Sequence, residues 1–184
     1  MKAFFSKSKD VETLAKYHEK INSTYLKDIK IRCEFKEIEI SKFWAFAYGK
    51  ENKIEYDKRC LRDLYDVCLH EFTHLIQYKY LKYTEHDLEF CLIFNILVFK
   101  EQSLNQVFIQ YYDIADDAIA LRTAIVFNSF KSIVTHLALM PFEQAVRAVP
   151  RWANHLRGGM PNAGADLGDP IELPTPDELA QALR

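Results

Sequence analysis

The sequence predicts an α+β fold: an N-terminal helix, a small three-stranded antiparallel sheet, a long helix, and additional helices towards the C-terminus. Three observations predict it. Apolar residues recur at helical spacing over the first part of the chain. They then alternate with polar residues over Ile29–Phe35, and two further short stretches before position 58 also read as strands. From Lys58 onward they return to helical spacing.

The elements follow in order. Val11, Leu14, His18, Ile21 and Tyr25 define a helix from about Lys9 to Leu26. Ile29, Ile31, Cys33 and Phe35 alternate with polar neighbours and predict a half-buried strand. Phe43–Tyr48 and Lys53–Asp57 predict two more strands, and Gly49-Lys-Glu-Asn52 between them predicts a hairpin turn. A long helix runs from about Lys58 to Leu81, with Leu61, Leu64, Val67, Cys68 and Leu75 as its apolar stripe. Further helices are expected over Asp87–Phe99, Ser103–Tyr112, Ile114–Leu139 and Phe142–Leu156.

Composition changes near residue 140. All six prolines lie at or after Pro141, no lysine follows Lys131, and no tyrosine follows Tyr112. The expected organisation is therefore a core over residues 1–100, a helical extension over 101–157, and a Pro/Gly-rich tail over 158–184. Thr175-Pro-Asp-Glu178 in that tail is a capping box with proline at the first helical position, which predicts a short terminal helix.

Charge and cysteine usage narrow the class. The net charge of −2 is no general nucleic-acid signature. Residues 1–62 carry 15 Lys+Arg against 10 Asp+Glu, whereas residues 63–139 carry 5 against 10. The basic first third leaves room for a DNA-facing surface, with Lys42, Lys50, Lys53, Lys58, Trp44 and Phe46 near the hairpin. A solvated face and a core role for the two aromatics are the plainer readings. Cys33, Cys60, Cys68 and Cys91 form no C-x-x-C pair and read as free thiols. The longest strongly apolar run, Cys91–Phe99, is too short to cross a bilayer, and the first ten residues hold no signal-peptide core. A soluble, cytoplasmic protein without membrane contact is the expectation.

The chemistry-bearing motif is His70-Glu71-Phe72-Thr73-His74. Two histidines four apart on a helix share one face, so both ring nitrogens can reach one Zn²⁺. Glu71 flanks that ion and is placed to take a proton from the attacking water as general base. Chance produces H-E-x-x-H in roughly one in 70 chains of this composition, and placement on a predicted helix lowers that further. A catalytic zinc needs a third protein ligand and one open position. His86, beyond the end of the long helix, is the first candidate. Glu89 is the best carboxylate alternative, with Glu85, Asp87 and Glu101 behind it. His18, His136 and His155 show no ligand spacing and read as structural or exposed.

The pair His70-Glu-Phe-Thr-His74 and His86-Asp-Leu-Glu-Phe90 resembles the SprT-like (Spartan-type) zinc metallopeptidases. There, H-E-x-x-H is followed by H-G-x-E-F or H-G-x-E-W. The upstream strands Phe43–Tyr48 and Lys53–Asp57, leading into the motif helix, fit the same pattern. The resemblance covers Ile31–Phe99, about 70 residues counted by strand and helix periods. It implies a zincin-like fold, zinc on His70, His74 and His86, Glu71 as catalytic base, and a protein or peptide substrate. Some family members cleave proteins crosslinked to DNA, and related domains occur in mobile-element anti-restriction proteins. This chain departs at Asp87, where the family has glycine, and it lacks the C-terminal zinc ribbon of some members.

Two other readings follow from the residues. One is a mobile-element or phage binding protein whose zinc is structural or vestigial, with residues 102–157 and the tail as interaction surfaces. The other is a self-restrained protease whose tail lies across the cleft.

Overall fold

The computed structural model describes residues 2–37, 44–59, 64–101 and 127–156. The predicted helices at Ser103–Tyr112 and Thr175–Leu183, the first part of Ile114–Leu139, the tail, and Lys42, Cys60 and Leu61 lie outside the described residues. The chain divides into two compact units, Met1–Glu85 and His86–Arg184. The coarse α+β class holds: five helices and a three-stranded sheet are present among the described residues. None of these helices is long and apolar enough to cross a membrane.

The first unit opens with α1 (Lys2–Tyr25), which buries Leu14, His18, Ile21 and Tyr25 on one stripe, the spacing that predicted it. Asn22 fixes the turn that follows. Its amide nitrogen donates to Ile29 C=O at 3.2 Å, and its oxygen accepts the Ile31 N–H at 3.0 Å. The chain then enters β1 (Arg32–Lys36), β2 (Ala45–Tyr48) and β3 (Lys53–Asp57).

The sheet is mixed, which corrects the expected antiparallel arrangement. The strand order is β1-β3-β2. The hairpin partners β2 and β3 are antiparallel, with Ala45 opposite Tyr56, but β1 and β3 run parallel, with Arg32 opposite Lys53. Both β1–β2 and β2–β3 reverse direction along the chain. The third strand, however, inserts in the centre rather than adding to the outside. Alternation identifies strands and the turn identifies the hairpin, but neither says which strand takes the middle place.

The central strand is accordingly buried, including Ile54, Glu55, Tyr56 and Asp57. Burial alone would raise the Glu55 carboxyl. Ion pairs with Lys36 and Lys53 (2.9 Å), and the Tyr48 hydroxyl donating at 3.0 Å, overcome that and hold it at about 2. Lys53 also pairs with Glu51 at 3.1 Å and lies 4.4 Å from the centre of the Tyr48 ring. It is thus committed to internal partners, whereas Lys50 and Lys58 are exposed. Trp44 and Phe46 are half-buried.

The hairpin turn Gly49–Glu51 closes against α2 (Leu64–Leu81). A Cβ at Gly49 would stand 2.4 Å from Cγ of Tyr78, so only glycine lets the turn approach this closely. Asn52 completes the turn in the left-handed region, with φ 48°. Asp57 then accepts the Arg59 backbone N–H at 2.7 Å and the Arg59 guanidinium at 2.9 and 2.6 Å as the chain leaves the sheet.

The second unit contains α3 (Leu88–Glu101), α4 (Phe127–Leu139) and α5 (Phe142–Leu156), each packed on the other two. Every residue of α3 from Leu88 to Val98 is buried. In α5 the stripe Ala145, Val146, Val149, Trp152 and Ala153 is buried while Glu143, Gln144, Arg147 and Asn154 face out. Lys100 donates to Ala138 C=O at 2.6 Å and Met140 C=O at 3.0 Å, satisfying carbonyls that the end of α4 leaves open.

Candidate metal centre

Helix α2 presents two chemically different faces. Cys68, Leu69, Phe72, Leu75 and Ile76 are buried in the first unit's core. His70 and His74, one turn apart, are only half-buried, and their rings meet edge to face at 5.0 Å. Their Nε2 atoms lie 3.3 Å apart.

That separation tests whether the pair suits a metal. Two nitrogens bonded to one ion at about 2.05 Å, at the tetrahedral angle, stand roughly 3.3 Å from each other. The observed distance equals this value. A hydrogen bond between two neutral rings of opposite tautomer would also span it, so the third residue matters. One ligand atom from each of His70, His74 and His86 falls within a 4.8 Å group. Three imidazoles converging so closely fit a metal ion, and among the described residues no other group of three such side chains does. Glu89, the carboxylate alternative, is buried at the start of α3 and is not in the group.

His86 is reached through a short exposed loop. Lys82 ends α2 in the left-handed conformation, φ 70°, and its N–H donates to Tyr78 C=O at 3.0 Å. Asp87 then caps α3: its carboxylate accepts the Phe90 N–H at 2.8 Å. Asp87 thus acts here as a helix N-cap. The His86 ring stands edge-on to Phe90 at 4.8 Å. His86 is open to solvent on one side, yet packing on the other desolvates the ring and lowers its pKa, against the upward pull of Asp87. A neutral imidazole is the form that ligates a metal.

Glu71 is the third side chain of the H-E-x-x-H motif on α2. It is buried, and desolvation pushes its carboxyl up to about 8, opposed by the Ala47 backbone N–H that donates to it. This contact has a topological basis. Asp57 N–H bonds Trp44 C=O at 2.8 Å, so residues 44, 46 and 48 direct their backbone groups at β3. Ala45 and Ala47 therefore direct theirs away from β3, at the sheet edge. Glu71 binds one of these outward N–H groups. A bound cation nearby would favour the ionised carboxylate and lower this pKa.

The remaining histidines have other partners. His18 is buried: Nε2–H donates to Ile31 C=O at 3.1 Å, and Nδ1 accepts from the Tyr56 hydroxyl at 3.2 Å. His136 and His155 flank the Trp152 ring at 6.0 and 5.9 Å. Cys33, Cys68 and Cys91 form no disulfide, and burial raises the thiols of Cys33 and Cys91 to about 12 and 11. Sequence reasoning did not single out Gln77 or the Ala47 N–H. Gln77 left a weak signal, a polar side chain three residues after His74 on the inward side of α2. A backbone donor such as Ala47 leaves none.

Compared with known family models, curated proteins and solved structures, the chain matches none.

Proposed function

We propose that this chain is a zinc-dependent metallopeptidase in which His70, His74 and His86 hold the metal and Glu71 is the general base. The convergence of three imidazole ligand atoms within 4.8 Å, two of them 3.3 Å apart, carries the reading. Neutral nitrogen donors in a set of three suit zinc, and three protein ligands leave a fourth position for water or substrate. Among the described residues, that count favours a catalytic centre over a closed structural one.

When bound, zinc supplies Lewis-acid polarisation of the scissile carbonyl and lowers the pKa of water towards neutrality. Glu71 accepts the proton of the attacking water and delivers it to the departing amine. The Ala47 N–H fixes the carboxylate in orientation, and burial keeps it basic enough to hold a proton between the two transfers. The outward backbone groups of Ala45 and Ala47 lie along the strand edge that Glu71 touches. Glu71 occupies the Ala47 N–H and Ala45 is buried, so the peptide substrate rests on the H-E-x-x-H pattern and its resemblance to SprT-like peptidases rather than on a free strand edge.

The test is zinc content and peptide-bond hydrolysis by the full chain and by Glu71→Gln. The variant should retain zinc and lose about 10²–10⁴-fold in turnover. Equal cleavage by the two proteins removes Glu71 as base.

A further inference from the structure

We infer that Gln77 is a positioning residue for His86: its amide oxygen holds the backbone just before that histidine and sets where the third imidazole stands. This rests on the metal-centre reading above. Gln77 lies on α2, three residues after His74, and is completely buried. Its Oε1 accepts the backbone N–H of Glu85 at 3.0 Å. Glu85 immediately precedes His86.

The physical argument concerns how a loop delivers a ligand. His70 and His74 are fixed by the helix they stand on. His86 follows an exposed stretch, Lys82–Glu85, that has no regular hydrogen-bonding pattern. A ligand on such a segment must be ordered when the metal binds, and ordering costs conformational entropy. The Gln77–Glu85 bond ties this stretch to the turn of α2 that follows His74. Asp87 secures the other side by capping α3. His86 therefore sits between two side-chain-to-backbone bonds, one to the residue before it and one three residues beyond Asp87.

The choice of residue supports this role. A fully buried amide is costly unless its polar atoms are bonded. At a site of this burial an apolar side chain would fill the space without that requirement. Glutamine supplies an acceptor facing the Glu85 N–H, which an apolar side chain does not. Partners one step removed from a metal typically contribute about 10–100-fold to its affinity.

The experiment is Zn²⁺ affinity of the full chain by competition with a chromophoric chelator, with circular dichroism as the check on folding. Gln77→Met keeps the length and removes the acceptor, and should weaken zinc binding by about tenfold or more. Gln77→Glu keeps an acceptor oxygen and should bind more tightly than Gln77→Met. In a His86→Ala background, Gln77→Met should cause no further loss, because the ligand it positions is gone. Glu85→Pro deletes the same N–H from the loop side without altering the core, and should mimic Gln77→Met. It keeps the test decisive if Gln77→Met fails to fold. Unchanged affinity in folded Glu85→Pro overturns the assignment, as does an equal Gln77→Met loss with and without His86. If the wild-type chain binds no zinc, the metal centre itself falls and this role with it. If it binds one zinc that His74→Ala abolishes, a failed Gln77 result counts against Gln77 alone.

Discussion

His18 and the pair His70–His74 belong to the same unit and lie at opposite faces of one helix, α2. His18, on α1, lies 4.9 Å from the ring of Phe72 on the core side of α2. His70 and His74, two residues either side of Phe72, occupy the other face. At His18 both ring nitrogens have protein partners, Ile31 C=O and the Tyr56 hydroxyl. At His70 and His74 the two Nε2 atoms converge on each other and on His86. The residue type is the same, and the difference lies in where the nitrogen lone pairs go. One region uses histidine to satisfy a buried carbonyl and hydroxyl. The other brings ligand atoms of three histidines within 4.8 Å of one another, a grouping that could hold a metal ion.

The sharpest way to break this comparison is to exchange the roles by mutation. His74→Ala should abolish stoichiometric zinc binding while the metal-free protein still folds, because the side chain is only half-buried. His18→Leu should do the reverse. It should leave zinc stoichiometry intact and lower stability by about 2–4 kcal/mol, since Ile31 C=O and the Tyr56 hydroxyl both lose a buried partner. Chemical denaturation of the two variants with chelator present, alongside zinc titration, measures both. If His18→Leu loses zinc as completely as His74→Ala, the two faces are not separable.

A second, smaller effect probes how the sheet is held to α2. Gly49→Ala places a methyl group where the Tyr78 ring already stands. The expected cost is about 1–3 kcal/mol from overpacking. The hairpin also carries Ala47, whose N–H bonds Glu71. Displacing the turn should therefore lower turnover more than zinc affinity. A variant that loses zinc with turnover per bound zinc unchanged would show that the turn supports the ligands and not the base.

How far the sequence revealed this arrangement depends on the range of the interaction. Periodicity placed α5 at Phe142–Leu156, because that helix writes its buried stripe into contiguous sequence, whereas α3 was placed within two residues at either end although it is buried all round from Leu88 to Val98 and has no stripe. The hairpin was legible through Gly49–Asn52. His70 and His74 were legible because helix geometry alone brings them together. The position of β3 between β1 and β2 was not, since strand alternation is the same for central and edge strands. Gln77 is similar: a polar residue on the inward side of α2 hints that it has a partner, but its bond to Glu85 spans a helix end and a loop, and no local pattern names that partner. The pairing of His18 with Tyr56, 38 residues apart, is longer still.

The smallest expected effect is the most specific to the core histidine. Burial lowers the His18 pKa below its usual 6.5, outweighing the Ile31 hydrogen bond and the Glu19 charge, both of which raise it. The groups around it from neighbouring elements are the Tyr56 hydroxyl, the Phe72 ring and the Ile31 carbonyl, none of them a charge. In the unfolded chain the ring takes up a proton near pH 6.5. In the folded protein it does so only at lower pH. Between the two values the unfolded state binds more protons, so stability rises with pH there and falls on acidification. The slope from this one group is at most about 1.4 kcal/mol per pH unit. It should be measured as the stability of the metal-free chain minus that of His18→Leu, between pH 7.5 and pH 5. Subtraction removes the contribution of the clustered histidines, which are common to both proteins. A difference that narrows as pH falls is the expected result. A difference independent of pH would mean that His18 does not change its proton affinity on folding, and the contrast between the two faces of α2 would then rest on metal binding alone.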